Sequence, residues 1–313
     1  MRVAFMGTPQ FALQTLKVLV ESQHEVIVVV TQPDKPNKRG NKVVFSPIKT
    51  YAQEQGIPFL QPDKIKNKAV IEKIKSYHPD VIVVVAYGQL LPKEILDFPR
   101  FGCINIHASL LPLYRGSAPI HWSIIQGESI TGVSTMIMDA GMDTGDIIYK
   151  ESVEIKEDTT VAMLHDILSR VGAKLLLRTL EDIEKGIAPR IPQDDTLSTY
   201  APLLTKDTGK INWNKLTSKE IYNLVRGTYP WPAAYTTYQS SKIKICKTAI
   251  YSGAMLPDVS PGTIVAHHGK AGLLVKTLDG GIYIIKIHVP NKKEMHVDDY
   301  LKGNKMELGT ILI

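Results

Sequence analysis

An amide, an imidazole and a carboxylate follow two apolar segments of the chain. Asn105 and His107 lie in the sequence Asn-Ile-His-Ala-Ser-Leu-Leu-Pro, and Asp143 lies in Asp-Ala-Gly-Met-Asp-Thr-Gly-Asp. Residues two apart on a strand point to the same face, so Asn105 and His107 are expected to be neighbours. Asn and His can donate hydrogen bonds to an oxyanion, and a carboxylate beside the imidazole favours its charged form. This set suits the transfer of a carbonyl group from one nitrogen to another.

The segments around these residues read as buried strands. Residues 80–86 (Asp-Val-Ile-Val-Val-Val-Ala) form a β-branched run without alternation, which is typical of a strand covered on both faces of a parallel sheet. Residues 101–107 form a second run. Ligands bind at the carboxyl ends of such strands, so we expect the site there. The alternative is that Asn105 and His107 are structural and only form hydrogen bonds with the backbone of the turn. These two residues alone leave both interpretations open.

The N-terminal part predicts an α/β fold. A strand at 2–6, a helix to about residue 20 and a strand at 25–30 make a βαβ opening. Its turn, Gly7-Thr-Pro, lacks the G-x-G-x-x-G pattern, which disfavours dinucleotide binding. Further alternation predicts a Rossmann-like, mostly parallel sheet in a catalytic domain of residues 1–190.

The C-terminal part predicts a second domain. Residues 191–208 are polar, contain prolines and have no hydrophobic period, which indicates a linker. Five short strand candidates follow within residues 209–313, and they predict a small OB-like β-barrel, a common nucleic-acid platform. A chain of 313 residues is long enough for both domains.

The positive charge is concentrated in that second domain. Residues 209–313 contain 14 Lys and Arg against 7 Asp and Glu, whereas residues 1–208 contain 23 against 24. Lys242 and Lys244 share one face of a strand candidate, while Ile243 and Ile245 turn inward. This pattern favours binding to a phosphate backbone. The alternative is that the lysines solvate a small domain.

A long basic loop precedes residue 46. Its sequence from residue 31 is Thr-Gln-Pro-Asp-Lys-Pro-Asn-Lys-Arg-Gly-Asn-Lys. Loops of this length are commonly functional, and a basic one can order against nucleic acid, with Arg39 reaching a phosphate or a base edge. A solvated surface loop is the alternative.

Other function classes lack their motifs. No apolar stretch approaches the roughly 20 residues that span a bilayer, and we expect no secretory signal because the first residues read as a strand. Cys103 and Cys246 fall in different predicted domains, so we expect reduced thiols and a cytoplasmic protein. His267, His268 and His288 lack the spacing and partners of metal ligands, and we expect no metal.

The motif pair NIHASLLP and DAGMDTGD resembles the signature of the folate-dependent formyltransferases. The resemblance implies that Asn105, His107 and Asp143 are catalytic and that 10-formyltetrahydrofolate is the cosubstrate. It also implies folate contacts from four residues of the turn: Ser109, Leu110, Leu111 and Pro112.

The basic loop is similar to the acceptor-stem-recognising loop of those family members that formylate methionyl-tRNA. This similarity implies that the acceptor is the α-amino group of methionyl-initiator tRNA, used in translation initiation. We expect a monomer without membrane attachment. The expected tRNA-binding residues come from the loop and the second domain: Lys38, Arg39, Lys42, Lys242 and Lys244.

Two other functions compete with this interpretation. A sugar-nucleotide formyltransferase would use the same folate donor, but the basic loop and the basic second domain argue against it. A nucleic-acid-binding protein with an inactive Rossmann-like domain is the other, and the complete Asn, His and Asp set argues against that.

Overall fold

The protein is described by a computed structural model that covers residues 1–36 and 43–313. The chain divides into two compact units. The first consists of residues 1–119, 130–154 and 164–201, and the second of residues 120–129, 155–163 and 202–313. The chain passes from the first unit to the second for the last time after Ala201, within the segment predicted as a linker.

The first unit contains the larger sheet. The strands of this unit are β1 (Arg2–Gly7), β2 (Glu25–Val30), β3 (Lys35–Pro36), β4 (Val43–Val44), β5 (Phe59–Leu60), β6 (Val81–Val85), β7 (Cys103–His107), β8 (Arg115–Gly116), β9 (Ile130–Ile137), β10 (Ile147–Glu154) and β11 (Tyr200–Ala201). Seven of them form a sheet in the order β10-β9-β7-β6-β1-β2-β5. The five from β7 to β5 run parallel, and β9 and β10 are antiparallel additions. The predicted α/β fold with a mostly parallel sheet is therefore confirmed.

The central strands are covered on both faces, as their sequences predict. Every residue of β6 and β7 is buried, because aliphatic side chains alternate to both sides of the sheet. Val84 of β6 pairs with Asn105 of β7. The polar end of β7 therefore lies at the carboxyl edge of the sheet, beside a second strand that is also fully buried.

Helices follow the strands in the expected alternation. They are α1 (Gln10–Val20), α2 (Pro47–Glu54), α3 (Lys68–Lys75), α4 (Lys93–Leu96), α5 (Pro119–Ile125) and α6 (Val161–Glu184). A Cβ at Gly7 would lie 2.8 Å from the Cβ of Ala12, so only glycine lets α1 start this close to β1. Ser46 caps the start of α2, since its hydroxyl accepts a hydrogen bond from the Lys49 amide at 3.0 Å.

The second unit contains a separate antiparallel sheet. Its elements are α7 (Ser218–Thr228), β12 (Ala234–Tyr238), β13 (Ser241–Ile250), β14 (Ile264–His267), β15 (Leu273–Lys276), β16 (Gly281–His288), β17 (Met295–His296) and α8 (Val297–Leu301). The strand order is β12-β13-β16-β15-β14, with β17 paired to β16. Thr217 and Glu220 form a capping box that starts α7. Ile243, Ile245 and Trp213 lie in the core beneath the sheet.

The C-terminal residues contact both edge strands of this sheet. The Ile313 amide donates to the Thr237 carbonyl of β12 at 3.0 Å, and the Ile264 amide of β14 donates to the Thr310 carbonyl at 2.9 Å. Leu312 between them is 2% exposed. Within residues 1–36 and 43–313, β12 and β14 do not pair with each other, so strand pairing alone leaves the sheet open. No helix in these ranges is long and apolar enough to cross a membrane.

Candidate active site

Asn105 and His107 occupy the polar end of β7. Their side chains are almost completely buried, with 8% and 6% of each residue exposed. They point to the same face of the strand, toward the loop between β9 and β10. Burial of two polar side chains requires hydrogen-bond partners, which this loop supplies for Asn105 and the turn after β7 supplies for His107.

Asp143 of the β9–β10 loop contacts both residues. Its Oδ2 atom lies 3.5 Å from Nδ1 of His107, and its Oδ1 atom accepts a hydrogen bond from Nδ2 of Asn105 at 3.4 Å. The backbone amide of Gly116 donates to the same Oδ2 atom at 2.8 Å. The structure therefore brings together the three residues that the sequence predicts as catalytic.

The other ring nitrogen of His107 faces the backbone. Nε2 lies 2.9 Å from the carbonyl oxygen of Tyr114. A carbonyl oxygen only accepts, so Nε2 carries a proton in this arrangement. Nδ1 is then the nitrogen that faces the carboxylate of Asp143. A second proton on Nδ1 would make an imidazolium held between two acceptors.

Glycines shape the Asp143 loop through the space that they leave. The left-handed backbone conformation falls on Asp143 itself, with φ of 56°. Gly141 and Gly145 are needed for space instead. A Cβ at Gly145 would overlap the carbonyl oxygen of Ile137, and one at Gly141 would overlap the side chain of Thr144.

The turn after β7 is hydrogen-bonded to side chains of β9 and β10. The Ser134 hydroxyl donates to the Ser109 carbonyl at 2.7 Å and accepts from the Leu111 amide at 3.0 Å. Lys150 donates to the Leu111 carbonyl at 2.8 Å. Ser109 and Leu111 are fully buried, whereas Leu110 and Pro112 are partly exposed. The predicted folate segment thus has two side chains inside the protein and two at its surface.

Gln193 and Arg115 also reach this site, and no sequence motif predicts a role for either residue. The Gln193 amide nitrogen donates to the Asp143 carbonyl at 2.8 Å and to the Gly145 carbonyl at 2.7 Å. Its oxygen accepts from Arg115, which is 2% exposed. Gln193 lies in the aperiodic segment predicted as a linker, and no local pattern marks it.

A second group of hydrogen bonds joins the ends of β1, β2 and β6. The Tyr87 carbonyl, just after β6, accepts from the Thr8 hydroxyl at 3.2 Å and from the Gln32 side chain at 3.1 Å. Burial raises the pKa of Tyr87 to about 12. Its buried hydroxyl has no hydrogen-bond partner among the residues that the structure describes.

The predicted tRNA-binding residues lie in two places. Lys242 and Lys244 stand on the outward face of β13, opposite the buried Ile243 and Ile245. The Lys242 ammonium lies 3.2 Å from the centre of the Tyr235 ring. Partial desolvation and then the charge of Lys244 lower the pKa of Lys242. The three loop residues lie outside the described ranges: Lys38, Arg39 and Lys42.

Histidines of the second unit have protein partners. His267 lies 3.2 Å from Asp298, and His268 lies 2.7 Å from the Tyr283 hydroxyl. In the two ranges that the structure covers, no group of three or more His, Cys, Asp or Glu residues could hold a metal ion.

Asn105, His107 and Asp143 meet at the carboxyl edge of a mostly parallel sheet, and their side chains are of the types that acid–base group transfer requires. Residues 1–180 match the family model described as "Formyl transferase", and residues 203–305 match "Formyl transferase, C-terminal domain". The two matches cover most of the chain. The protein therefore belongs to the formyl transferase family and is a formyltransferase.

The similarity to curated proteins extends over the whole chain. A curated relative from Clostridioides difficile, named methionyl-tRNA formyltransferase, is 50% identical over 312 residues, which is 100% of both chains. One from Ruminiclostridium cellulolyticum with the same name is 48% identical over 309 residues, 99% of this chain and 98% of the relative. Among solved structures, the sugar 3N-formyl transferase WlaRD has a TM-score of 0.66 at 20% identity and covers 94% of this chain and 99% of its own. That likeness concerns the fold.

Proposed function

We propose that this formyltransferase moves the formyl group of 10-formyltetrahydrofolate to the α-amino group of methionyl-initiator tRNA, for translation initiation. The observation that carries the proposal is the 50% identity, over all of both chains, to a protein named methionyl-tRNA formyltransferase. The basic second unit agrees with it, because a tRNA acceptor presents a phosphate backbone.

The proposed reaction begins when the neutral amine of the methionyl group attacks the formyl carbon. A new carbon–nitrogen bond forms, and the carbonyl oxygen becomes a tetrahedral oxyanion. The bond from that carbon to N10 of the folate then breaks. The attacking nitrogen loses a proton and N10 gains one, so tetrahydrofolate leaves as a neutral amine.

Asn105 and His107 are the proposed donors to the oxyanion. The Nδ2 group of Asn105 and Nδ1 of His107 both face Asp143. Each good donor in a site that excludes water is worth about 3 kcal/mol in the transition state. Asp143 is the proposed proton carrier, since it faces the imidazole and can pass protons to the nitrogens directly or through water.

The turn after β7 is the proposed folate-binding segment. Ser109 and Leu111 would fix its shape from inside the protein, because their backbone groups are bonded to Ser134 and Lys150. Leu110 and Pro112 would then present apolar surface and backbone to the flat pterin ring.

The second unit is the proposed tRNA platform. Lys242 and Lys244 on the outward face of β13 would contact phosphates, together with Lys38, Arg39 and Lys42 of the loop. We infer that the sheet is OB-like, with the C-terminal residues acting as its closing segment. The bonds from residues 310–313 to both β12 and β14 support this. A monomeric, cytoplasmic enzyme is part of the same proposal.

A formyl-transfer assay with three acceptors tests the proposal. The purified chain and 10-formyltetrahydrofolate would be combined with charged initiator tRNA, charged elongator methionine tRNA, or an amino-sugar nucleotide. We expect turnover with initiator tRNA and much slower turnover with the other two. Preferential formylation of the sugar would refute the tRNA acceptor and support the sugar-nucleotide alternative.

A variant series tests the loop within this assay. Arg39→Ala is expected to raise KM for methionyl-tRNA at physiological salt and leave KM for the folate unchanged. Arg190→Ala, at an exposed arginine of the first unit, is the matched control. Equal tRNA kinetics for both variants would remove the loop from acceptor recognition.

A further inference from the structure

Four hydrogen bonds converge on the side-chain amide of Gln193. Its Nε2 group donates to the carbonyl oxygens of Asp143 and Gly145 at 2.8 and 2.7 Å. Its Oε1 atom accepts from Nε and Nη2 of Arg115 at 3.1 and 2.8 Å. Every donor and acceptor position of the amide is thus used.

We propose that Gln193 is a positioning residue for formyl transfer, which holds the Asp143 loop so that the carboxylate faces His107. The proposal rests on the proposed catalytic role of Asp143. Gln193 touches the backbone of the loop and not the imidazole, so it would act only through Asp143.

The chemistry of the three partners explains why this position needs an amide. Arg115 has only donors, and the two carbonyl oxygens only accept. A carboxylate at residue 193 could bind Arg115 but would repel the carbonyls, and an ammonium could bind the carbonyls but would repel Arg115. An amide satisfies both sides at once. The buried charge of Arg115 also polarises the amide, which strengthens its hydrogen bonds to the loop.

The Asp143 loop needs such support because its backbone is in an unfavourable conformation. Asp143 has φ of 56°, which non-glycine residues rarely adopt without local stabilisation. Two adjacent residues provide it from the same side. Gly116 donates its amide to the Asp143 carboxylate at 2.8 Å, and Arg115 holds Gln193 against the Asp143 carbonyl.

Arg115 and Gly116 are themselves held by residues that follow Gln193 in the chain. Strand β8, formed by Arg115 and Gly116, pairs in parallel with Tyr200 and Ala201 of β11. The Nη2 atom of Arg115 also donates to Asp195 at 2.8 Å. Residues 193–201 therefore contact both Arg115 and Gly116. These contacts fix the position of the Gln193 amide.

Two substitutions separate the contacts of Gln193. Gln193→Glu keeps an acceptor for Arg115 but loses both donors to the loop, and Gln193→Met loses all four bonds with little change in size. We expect both to lower kcat by about tenfold to a hundredfold, because small misplacements of a reacting group have effects of that order. KM for 10-formyltetrahydrofolate should stay within about threefold, since neither variant alters the proposed folate turn.

The matched control is Asp194→Asn. Asp194 is the exposed neighbour whose Oδ1 atom accepts from Thr196 at 2.9 Å, and an asparagine oxygen can do the same. We expect parental kinetics. Circular dichroism and an unfolding midpoint would establish that each variant is folded, and if Gln193→Met does not fold, Gln193→Glu carries the test.

A double-mutant cycle distinguishes positioning from general damage. If Gln193 acts through Asp143, adding Gln193→Glu to Asp143→Ala should lower kcat no further. A multiplied loss in the double variant, or parental kcat in a folded Gln193→Glu protein, would overturn the inference. Parental kcat in Asp143→Ala alone would instead refute the proposed catalytic role of Asp143, which is a separate failure.

Discussion

Nδ1 of His107 lies 3.5 Å from Oδ2 of Asp143, while Nε2 of the same ring lies 2.9 Å from the Tyr114 carbonyl. The backbone contact is a full hydrogen bond, and the carboxylate contact is longer. Catalytic hydrogen bonds are commonly long in the absence of substrate and shorten in the reacting complex. The ring is therefore oriented by Tyr114, and its other nitrogen is the one that we propose as a donor to the substrate.

Removal of either proposed oxyanion donor should slow catalysis and leave the fold intact. We expect Asn105→Ala and His107→Ala each to lower kcat by about a hundredfold or more, because each deletes a donor to the developing charge. Single-turnover formylation of methionyl-tRNA would measure the effect. Ile106→Val, on the opposite face of the same strand, should cost about 1 kcal/mol of stability and keep its kcat. Near-parental kcat in either alanine variant would exclude that residue from the chemistry.

An added methyl group at Gly145 should disturb the site through the backbone. The new Cβ would overlap the Ile137 carbonyl, so the Asp143 loop must shift. We expect Gly145→Ala to lower kcat at least tenfold, on the order of the loss from a displaced catalytic group. Gly303→Ala is the control, because a Cβ there meets no atom within 4 Å. Equal activity of the two variants would mean that the loop tolerates displacement.

Neutral side chains on the outward face of β13 should weaken tRNA binding in a salt-dependent manner. For Lys242→Gln with Lys244→Gln we expect weaker binding, and a plot of log K against log salt that is shallower by about one unit per lost phosphate contact. Lys66→Gln with Lys68→Gln, two exposed lysines of the first unit, removes the same charge elsewhere. Identical salt slopes for the two pairs would show that the β13 face does not bind tRNA.

The C-terminal segment should contribute to stability through one buried side chain. Leu312 is 2% exposed and Leu308 is 62% exposed. We expect Leu312→Ala to lower the free energy of unfolding by about 2–4 kcal/mol, and Leu308→Ala to change it by less than about 0.5 kcal/mol. Urea denaturation followed by tryptophan fluorescence would compare them. A small effect at Leu312 would argue that the segment is loosely held.

Both thiols should react slowly with alkylating reagents. Burial raises the pKa of Cys103 and that of Cys246 to about 12. Because the thiolate is the nucleophile, a raised pKa leaves about one molecule in ten thousand reactive at pH 8. Iodoacetamide labelling of the native protein should therefore be slow, and it should accelerate as pH rises or when urea unfolds the chain. Rapid labelling at pH 8 would show that a thiol is accessible and ionised.

Much of the first unit follows from local sequence. The apolar, β-branched run at residues 80–86 and the second run at residues 101–107 predict strands that are covered on both faces, a pattern typical of sheets with helices on both sides. The i, i+2 spacing of Asn105 and His107 then fixes their common face. The resemblance implies that Asp143 acts together with these two residues, and in the structure its loop contacts both of them.

The remaining features depend on contacts that no local pattern encodes. Gln193 has its role because two carbonyls and one guanidinium, distant in sequence, meet around it. The same holds for the C-terminal residues, whose partners are backbone groups of β12 and β14. Backbone partners leave no trace in side-chain hydropathy. The left-handed conformation of Asp143 is likewise a backbone property that hydropathy does not predict.

The contribution of residues 193–201 to the site limits how the protein can be shortened. A fragment that ends at residue 190, before the aperiodic segment begins, would retain all seven strands of the large sheet. It would also retain both His107 and Asp143. It would nevertheless lose the amide under Asp143 and the partner strand of Arg115 and Gly116. An excised enzyme core for crystallography or ligand soaking should extend through Ala201.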